Sequence, residues 1–335
     1  MDIKLFRYIS FIKIVNLVKL KAGYIISIFL KRPVQWAKPV AISFEPSGNC
    51  NLSCPQCPTG LKMIQRKAGF SDFDLIKSTI NQLSDSLFTS TFYFQGEPFL
   101  NPKLYEMIAY AHEKKIFTIT STNGHFLNET NITRLIGCGL DKLIVSVDGV
   151  TQEIYEKYRI GGKLQKVISG IENLIKKKKE LKSRSPKVVI QFLVTGYNEH
   201  QIDEARLLAR KLEADKIVFK TAQIYEFTEG SPFIPKNKKY SRYTAENEKN
   251  YKIRSKLQNK CYRMWSNPVV TVDGDVVPCC YDKQAEHSMG NLYRNDFKAI
   301  WKGSDFNNFR KQLFLDRSRF EICKNCTEGL RDVFI

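Results

Sequence analysis

Acidic residues are scarce in this chain. Asp and Glu total 34 against 53 Lys and Arg, a formal net charge of +19 over 335 residues. Such a surplus favours anionic company: nucleic acid, phosphorylated small molecules or an anionic membrane surface. Cysteine is sparse for a disulfide scaffold. The nine residues are about 3% of the chain, and an odd count leaves at least one unpaired. A long apolar run is missing too. Within the first 32 residues the longest uncharged stretch, 22–30, falls short of the ~20 residues a membrane span needs. No small-residue cleavage site follows it, which argues against a secretory signal. There is no Walker loop, and His112, His125, His200 and His287 stand in no hydrolase or zinc-protease pattern. RNP, KH and C2H2 signatures of nucleic-acid binding are missing as well. With 43% hydrophobic and 26% charged residues the composition is otherwise that of a globular protein. It excludes a mainly disordered chain, a collagen and a polytopic membrane protein, and the length allows one large domain or two modest ones.

Four segments follow. Residues 1–39 begin with an apolar stretch in which Lys4, Arg7, Ser10, Lys13, Asn16 and Lys19 recur every third position. That step drifts by about 60° per repeat, so the polar positions circle a helix rather than forming one stripe. Two readings stand for residues 1–32: a helix packed on the main domain, or a membrane-surface helix whose lysines snorkel to lipid phosphates. Residues 40–225 alternate strand-like runs (40–45, 91–94, 117–122, 142–147, 188–194, 216–221) with helix-like ones (71–84, capped by Ser71, then 102–115, 129–138, 167–182 and 198–213). This rhythm predicts a parallel α/β sheet, either open and doubly wound or an incomplete barrel. Residues 226–260, polar and basic with Pro232 and Pro235, read as a linker or lid. Residues 261–335 form a small second domain with a hairpin at Asp273-Gly274.

Residues 45–60 read EPSGNCNLSCPQCPTG, placing Cys50, Cys54 and Cys57 in C-x3-C-x2-C spacing just after the first strand. The carboxyl ends of the strands are where α/β proteins put their sites. Three thiolates in one short loop suit an iron–sulfur cubane with one iron left open. Structural zinc needs a fourth ligand, and none lies nearby; a disulfide leaves one cysteine over. Further motifs recur at successive strand ends. Gln95-Gly96-Glu97-Pro98 follows the second strand, Ser121-Thr122-Asn123-Gly124 ends the third, and Ser146-Val147-Asp148-Gly149 ends the fourth, with Arg159 in YEKYRIGG beyond it. Each alone reads as a turn or a surface charge.

Together, over roughly residues 40–225, these motifs resemble the radical S-adenosylmethionine (SAM) superfamily. Gln95 departs from the family's Gly-Gly-Glu-Pro but leaves its core intact. The resemblance implies a partial (β/α)6, TIM-like barrel. It implies a SAM-binding [4Fe–4S] cluster on Cys50, Cys54 and Cys57, and SAM contacts from Gly96, Glu97, Pro98, Ser121, Asn123, Ser146, Asp148 and Arg159. Glu97 would answer the SAM ammonium and Arg159 its carboxylate.

Cys261, Cys279, Cys280, Cys323 and Cys326 fall in the last segment. Cys261, Cys279, Cys323 and Cys326 supply four thiolates, enough for structural zinc or for a cluster. The arrangement resembles the twitch or SPASM extension of radical SAM enzymes and implies an auxiliary [4Fe–4S] cluster that accepts or relays an electron. Cys280 is left over, as a buried thiol, an alternative ligand or a hydrogen-atom donor. Cys138 reads as a structural thiol.

The implied chemistry is reductive cleavage of SAM to a 5′-deoxyadenosyl radical, which takes a hydrogen atom from the substrate, followed by oxidation or epimerisation. A flavodoxin- or ferredoxin-type electron donor is implied with it. The substrate reading is a small molecule or sugar conjugate, with a ribosomal peptide or protein as the alternative. A basic zinc protein that binds nucleic acid is the contrasting class; the three-cysteine loop has no role in it, and no specific nucleic-acid contact is expected. Lys220, Gln223, Tyr225 and Glu226 lie near the end of the sixth strand, and nothing in the sequence ranks them. Free thiolates and reducible clusters point to the cytoplasm, with membrane association through residues 1–32 left open.

Overall fold

The computed structural model describes residues 7–247, 250–254 and 257–326; the tail 327–335, assigned above to the second domain, lies outside the described residues. Six parallel strands run β1 (Ala41–Phe44), β2 (Thr89–Phe92), β3 (Phe117–Thr122), β4 (Lys142–Ser146), β5 (Lys187–Val194) and β6 (Lys216–Thr221). A helix, α1 (Phe11–Leu30), precedes them, and α2 (Phe73–Leu83), α3 (Leu104–Glu113), α4 (Glu129–Gly137), α5 (Gln152–Tyr158), α6 (Leu164–Glu180) and α7 (Ile202–Lys211) connect them. The strands stand side by side in chain order from β1 to β6. A doubly wound sheet reverses its strand order at a switch point; here no reversal occurs. Right-handed crossovers then put every connecting helix on one face, and the sheet curls around the other as a partial barrel.

Strand periodicity places the site. In β5, Val188, Ile190, Phe192 and Val194 are buried under helices, while Gln191 and Leu193 face the lumen. In β2 the ladder sits two residues earlier than the sequence predicts. Phe92 stacks on Phe44 at 5.7 Å, and Tyr93 and Phe94 leave the ladder to line the lumen. The cap of α2 is Asp72, whose side chain accepts from the Asp74 N–H; Ser71 instead donates to the Glu45 carbonyl at 2.6 Å.

The C-terminal elements are β7 (Tyr243–Ala245), β8 (Tyr251–Ile253), α8 (Arg263–Ser266), β9 (Val269–Val270), β10 (Val276–Val277), α9 (Phe297–Lys302), α10 (Ser304–Leu315) and α11 (Glu321–Lys324). The β9–β10 hairpin joins the main sheet, with β9 parallel to β1, so the sheet has eight strands in all and stays open. Within 226–260 the described Tyr240 packs on Phe219 of β6 at 6.0 Å. Buried Arg310 joins α8, α9 and α10, donating to the Met264 and Trp301 carbonyls and lying over the Phe306 and Trp301 rings.

α1 crosses the amino ends of the strands. Buried Lys13 donates to the carbonyls of Tyr8 and of Lys115, just before β3, and Tyr8 donates to Asp141, just before β4. Further along the chain, Trp265 donates to the Val34 carbonyl. The packed-helix reading holds for this inner face. The outer face differs from the circling pattern: Phe11, Ile14, Val18, Ile25 and Phe29 are exposed along one stripe. Among the described residues no helix is long and apolar enough to cross a membrane.

Candidate active site

The cysteine loop leaves β1 and is held in place from three sides. Gly60 lets the loop fold back on itself, because a Cβ there would stand 2.5 Å from the Cys54 nitrogen and 2.6 Å from its carbonyl oxygen. Gly96, at φ +66°, lies against the segment just before Cys50; a Cβ would meet the Ser47 oxygen at 2.3 Å. The next residue, Glu97, donates its N–H to the Asn49 carbonyl at 2.7 Å. From the end of β3, the Asn123 side chain donates to the Asn51 side chain at 2.8 Å. Arg159 reaches the Cys54 sulfur at 3.8 Å while its Nε donates to Asp148 at 2.5 Å. The strand-end motifs therefore brace the cysteines as well as facing the lumen.

One cavity of about 300 Å³ collects Cys50, Cys54 and Cys57 together with Gly96, Glu97, Pro98, Ser121, Asn123, Ser146 and Arg159. Asp148 is fully buried behind the wall, where it holds Arg159 and accepts from the Leu193 N–H at 2.7 Å. Glu97 is committed to its neighbours: it accepts from Thr122 and the Asn123 N–H, both at 2.8 Å, and from the Phe99 N–H at 3.3 Å. Burial nevertheless pushes its carboxyl up to about 7, so it stands ready to ionise beside a cation.

The donor set fits an iron–sulfur cluster. Burial pushes the Cys54 thiol up to about 11 and raises Cys50, so these sulfurs become thiolates at neutral pH only against a strong positive charge. Among the described residues no three His, Cys, Asp or Glu side chains are placed to hold a single metal ion. A cubane spreads its thiolates over several irons, so cysteines that share a wall without meeting at one point suit it better than zinc.

The C-terminal cysteines also converge. Cys261, Cys279, Cys323 and Cys326 are all buried. Cys279 feels Cys280, Cys261 and Cys326, and Arg317 lies among Cys261, Cys323 and Cys326. The Arg317 guanidinium donates to the Cys326 sulfur at 3.4 Å and to the Lys260 carbonyl at 3.0 Å. Cys280 stands near Tyr93 and Lys283 but is not on the cavity wall. Cys138 is buried at the end of α4, its sulfur on the Leu135 carbonyl at 3.2 Å.

Of the residues at the end of β6, Gln223 lines the cavity, Tyr225 accepts from Lys283 at 2.7 Å, and Lys220 and Glu226 stay off the wall. The sequence reading missed Tyr93, Gln191, Thr221, Arg242 and Lys283, the further polar side chains of the lining besides Gln56 and Tyr158. Gln191 carried a usable signal, a polar residue on the lumen phase of an otherwise apolar strand. Arg242 and Lys283 come from segments without periodicity and carried none.

Comparison with known proteins agrees with this geometry. A family model described as the radical SAM superfamily matches residues 44–209, and one described as an iron–sulfur cluster-binding domain, SPASM, matches residues 261–327. The chain is 27% identical over 290 residues to the S-adenosyl-L-methionine-dependent 2-deoxy-scyllo-inosamine dehydrogenase of Niallia circulans, covering 85% of this chain and 91% of that one. It is 25% identical over 324 residues to the PqqA peptide cyclase of Rhizobium meliloti (strain 1021), covering 89% and 84%. The crystal structure of Streptococcus suis SuiB bound to S-adenosylmethionine shares the fold, with a TM-score of 0.63 at 13% identity over 94% of this chain and 76% of that one. The chain thus belongs to the radical SAM superfamily as a SPASM-bearing enzyme, and its cofactors are SAM, the [4Fe–4S] cluster that binds SAM, and an auxiliary iron–sulfur cluster.

Proposed function

We propose that this enzyme oxidises a hydroxyl-bearing carbon of a sugar or sugar conjugate. The observation that carries the reading is the wall facing the SAM contacts. Beside the apolar Phe94 and Leu193, Tyr93, Gln191, Thr221, Gln223, Arg242 and Lys283 bring hydrogen-bonding groups to a lumen that in a closed barrel is ordinarily packed with branched apolar side chains. A polyol offers several hydroxyls to such a surface. The likeness to a dehydrogenase of a small cyclitol amine supports it.

When bound, SAM and the two clusters supply a hydrogen-abstracting radical and an acceptor for the electron left on the substrate. Cys50, Cys54 and Cys57 hold the first cluster; Cys261, Cys279, Cys323 and Cys326 hold the second. Gly96, Glu97, Pro98, Ser121, Asn123, Ser146 and Arg159 bind SAM, with Asp148 orienting Arg159. The chain divides into an N-terminal segment (1–39), a core (40–225), a basic linker or lid (226–260) and an auxiliary domain (261–335). A flavodoxin- or ferredoxin-type protein donates the electron, and the +19 charge suits an acidic donor. The reducing interior of the cytoplasm suits its reducible clusters. The exposed stripe of α1, flanked by Lys19 and Lys21, docks it on an anionic membrane face.

A peptide substrate is the second reading. A neighbouring cavity of about 330 Å³ shares Pro58, Gln223 and Lys283 with the first and gives a longer chain room; the likeness to a peptide cyclase supports it. The test is deuterium transfer. Cell extract metabolites carrying C–D bonds are given to the anaerobically reconstituted enzyme with SAM and reductant. Deuterium in 5′-deoxyadenosine together with a product two hydrogens lighter supports alcohol oxidation. A modified peptide found only in cells with the protein, beside an unchanged sugar pool, overturns it. Epimerisation leaves the elemental formula unchanged, replaces the abstracted deuterium by hydrogen, and needs a hydrogen donor such as Cys280; loss of that product in Cys280→Ala would assign it.

A further inference from the structure

The cavity holds three cationic side chains and one carboxylate. Arg159 is paired with Asp148, and the single carboxylate on the wall, Glu97, lies on the SAM side. Arg242 and Lys283 form no ion pair among the described residues. Both are built in rather than waving in solvent. Arg242 is fixed by Thr221, whose hydroxyl and carbonyl accept from Nε at 3.0 Å and Nη2 at 3.1 Å. Lys283 donates to Tyr225 at 2.7 Å and Gln223 at 3.3 Å. Its backbone carbonyl is held at 3.0 Å by Arg66, which is itself clamped by the buried Glu45.

Two fixed cations near each other without a carboxylate repel. Burial moves the Lys283 ammonium down to about 8 against the opposing pull of Cys57 and Cys280, and Arg242 pushes it down further. That arrangement costs free energy when empty and is relieved by an anion. N–H groups remain on both side chains after the bonds above: one on Lys283, and more on the guanidinium. Donors arriving from two side chains match the three oxygens and double charge of a phosphoryl group better than the flat two-oxygen edge of a carboxylate.

We propose that Arg242 and Lys283 form an oxyanion subsite that anchors a phosphoryl group of the substrate, so that the sugar is oxidised as a phosphate or phosphate-linked conjugate. The proposal rests on the reading of this cavity as the substrate site. Lys283 also borders the second cavity, where the remainder of a conjugate continues outward.

The test is titration of inorganic phosphate, and of acetate, into the anaerobically reconstituted, SAM-loaded full chain by calorimetry. Phosphate binds at one site. Arg242→Gln and Lys283→Gln each weaken it about tenfold or more, as loss of one charged hydrogen bond does. Iron content reports that each variant has folded, and midpoint potentials of both clusters are measured alongside. Absence of phosphate binding, or equal binding by the double variant, overturns the proposal. So does a shift of cluster potential without change in phosphate affinity, which would assign the two cations to neutralising cysteinate near Cys57 and Cys280. Acetate binding in place of phosphate overturns it in favour of a peptide carboxylate. If phosphate binds as stated while no sugar is oxidised, the subsite stands and the sugar-oxidation reading fails.

Discussion

Replacing Gly96 by alanine should disable this enzyme through the loop it supports. The new Cβ would lie 2.3 Å from the Ser47 oxygen and 2.6 Å from the Asn49 oxygen. Carbon–oxygen contacts settle near ~3.5 Å, so the two segments must separate by about 1 Å. The backbone at φ +66° costs alanine about 1–2 kcal/mol more than glycine. Strain in the displaced loop is of similar size, for a total of about 2–4 kcal/mol. An unfolding entropy of ~2.1 cal/mol/K per residue over 335 residues gives about 0.7 kcal/mol/K. The melting temperature of the apoprotein should then fall by about 3–6 °C. The functional loss is larger than this, because the 1 Å shift falls on residues 47–49, directly before Cys50. Iron loading and SAM affinity should both drop. Gly137→Ala is the control: a Cβ there meets nothing within 4 Å, and the site is the last turn of α4. It should leave the melting temperature unchanged or slightly raised. Thermal unfolding, iron content and SAM calorimetry on both variants decide the matter. A Gly96→Ala protein that melts within 1 °C of the parent and loads full iron would refute the coupling of the two loops.

Other outcomes follow from the same site. Because burial raises Glu97 to about 7, it is largely protonated in the SAM-free enzyme at lower pH and gives up that proton when a cation binds beside it. SAM affinity should therefore rise as pH climbs from about 5.5 to 7 and level off above. Glu97→Gln should flatten that profile, and calorimetric enthalpy should vary with buffer only in the parent. Arg159→Lys keeps the charge but loses the fork paired with Asp148; on the role proposed for Arg159 at the SAM carboxylate, SAM affinity should fall about 10- to 100-fold with iron content unchanged. The reconstituted protein should carry about eight irons, falling to about four when Cys50, Cys54 and Cys57 are all replaced by alanine. A fall to zero would mean that the second site holds no iron.

The parts legible in the sequence were those whose position follows from chain order. Each parallel strand delivers the residues at and just after its end to the same end of the barrel, so Cys50, Glu97, Asn123 and Ser146 met for a topological reason that spacing already contained; Arg159, at the end of α5, is brought to them by its pairing with Asp148. Local competition was harder to read. Ser71 and Asp72 are both good caps; the Ser71 hydroxyl is turned to the Glu45 carbonyl, and Asp72 accepts from the Asp74 N–H. Phe92 closes β2 early because stacking on Phe44 decides which of the three successive aromatics, Phe92, Tyr93 and Phe94, remains in the ladder. Arg242 and Lys283 were out of reach for a different reason: tertiary anchors at Thr221, Tyr225 and Arg66 bring them to the wall, and no local pattern encodes such anchors.

The position of α1 sets a direction for the whole enzyme. The helix crosses the amino ends of the strands, whereas the cysteines and the lining of the cavity sit at the carboxyl ends. With six residues in β3 at ~3.3 Å each, the two ends lie about 20 Å apart, and the helix itself adds about 10 Å. A bilayer contacting Phe11, Val18 and Phe29 would therefore meet the back of the barrel while the mouth opened toward the aqueous phase. A sugar joined to its lipid by a short diphosphate could not bridge that height. Tethering by this face would concentrate the enzyme beside a membrane and leave it working on substrates that arrive from the water.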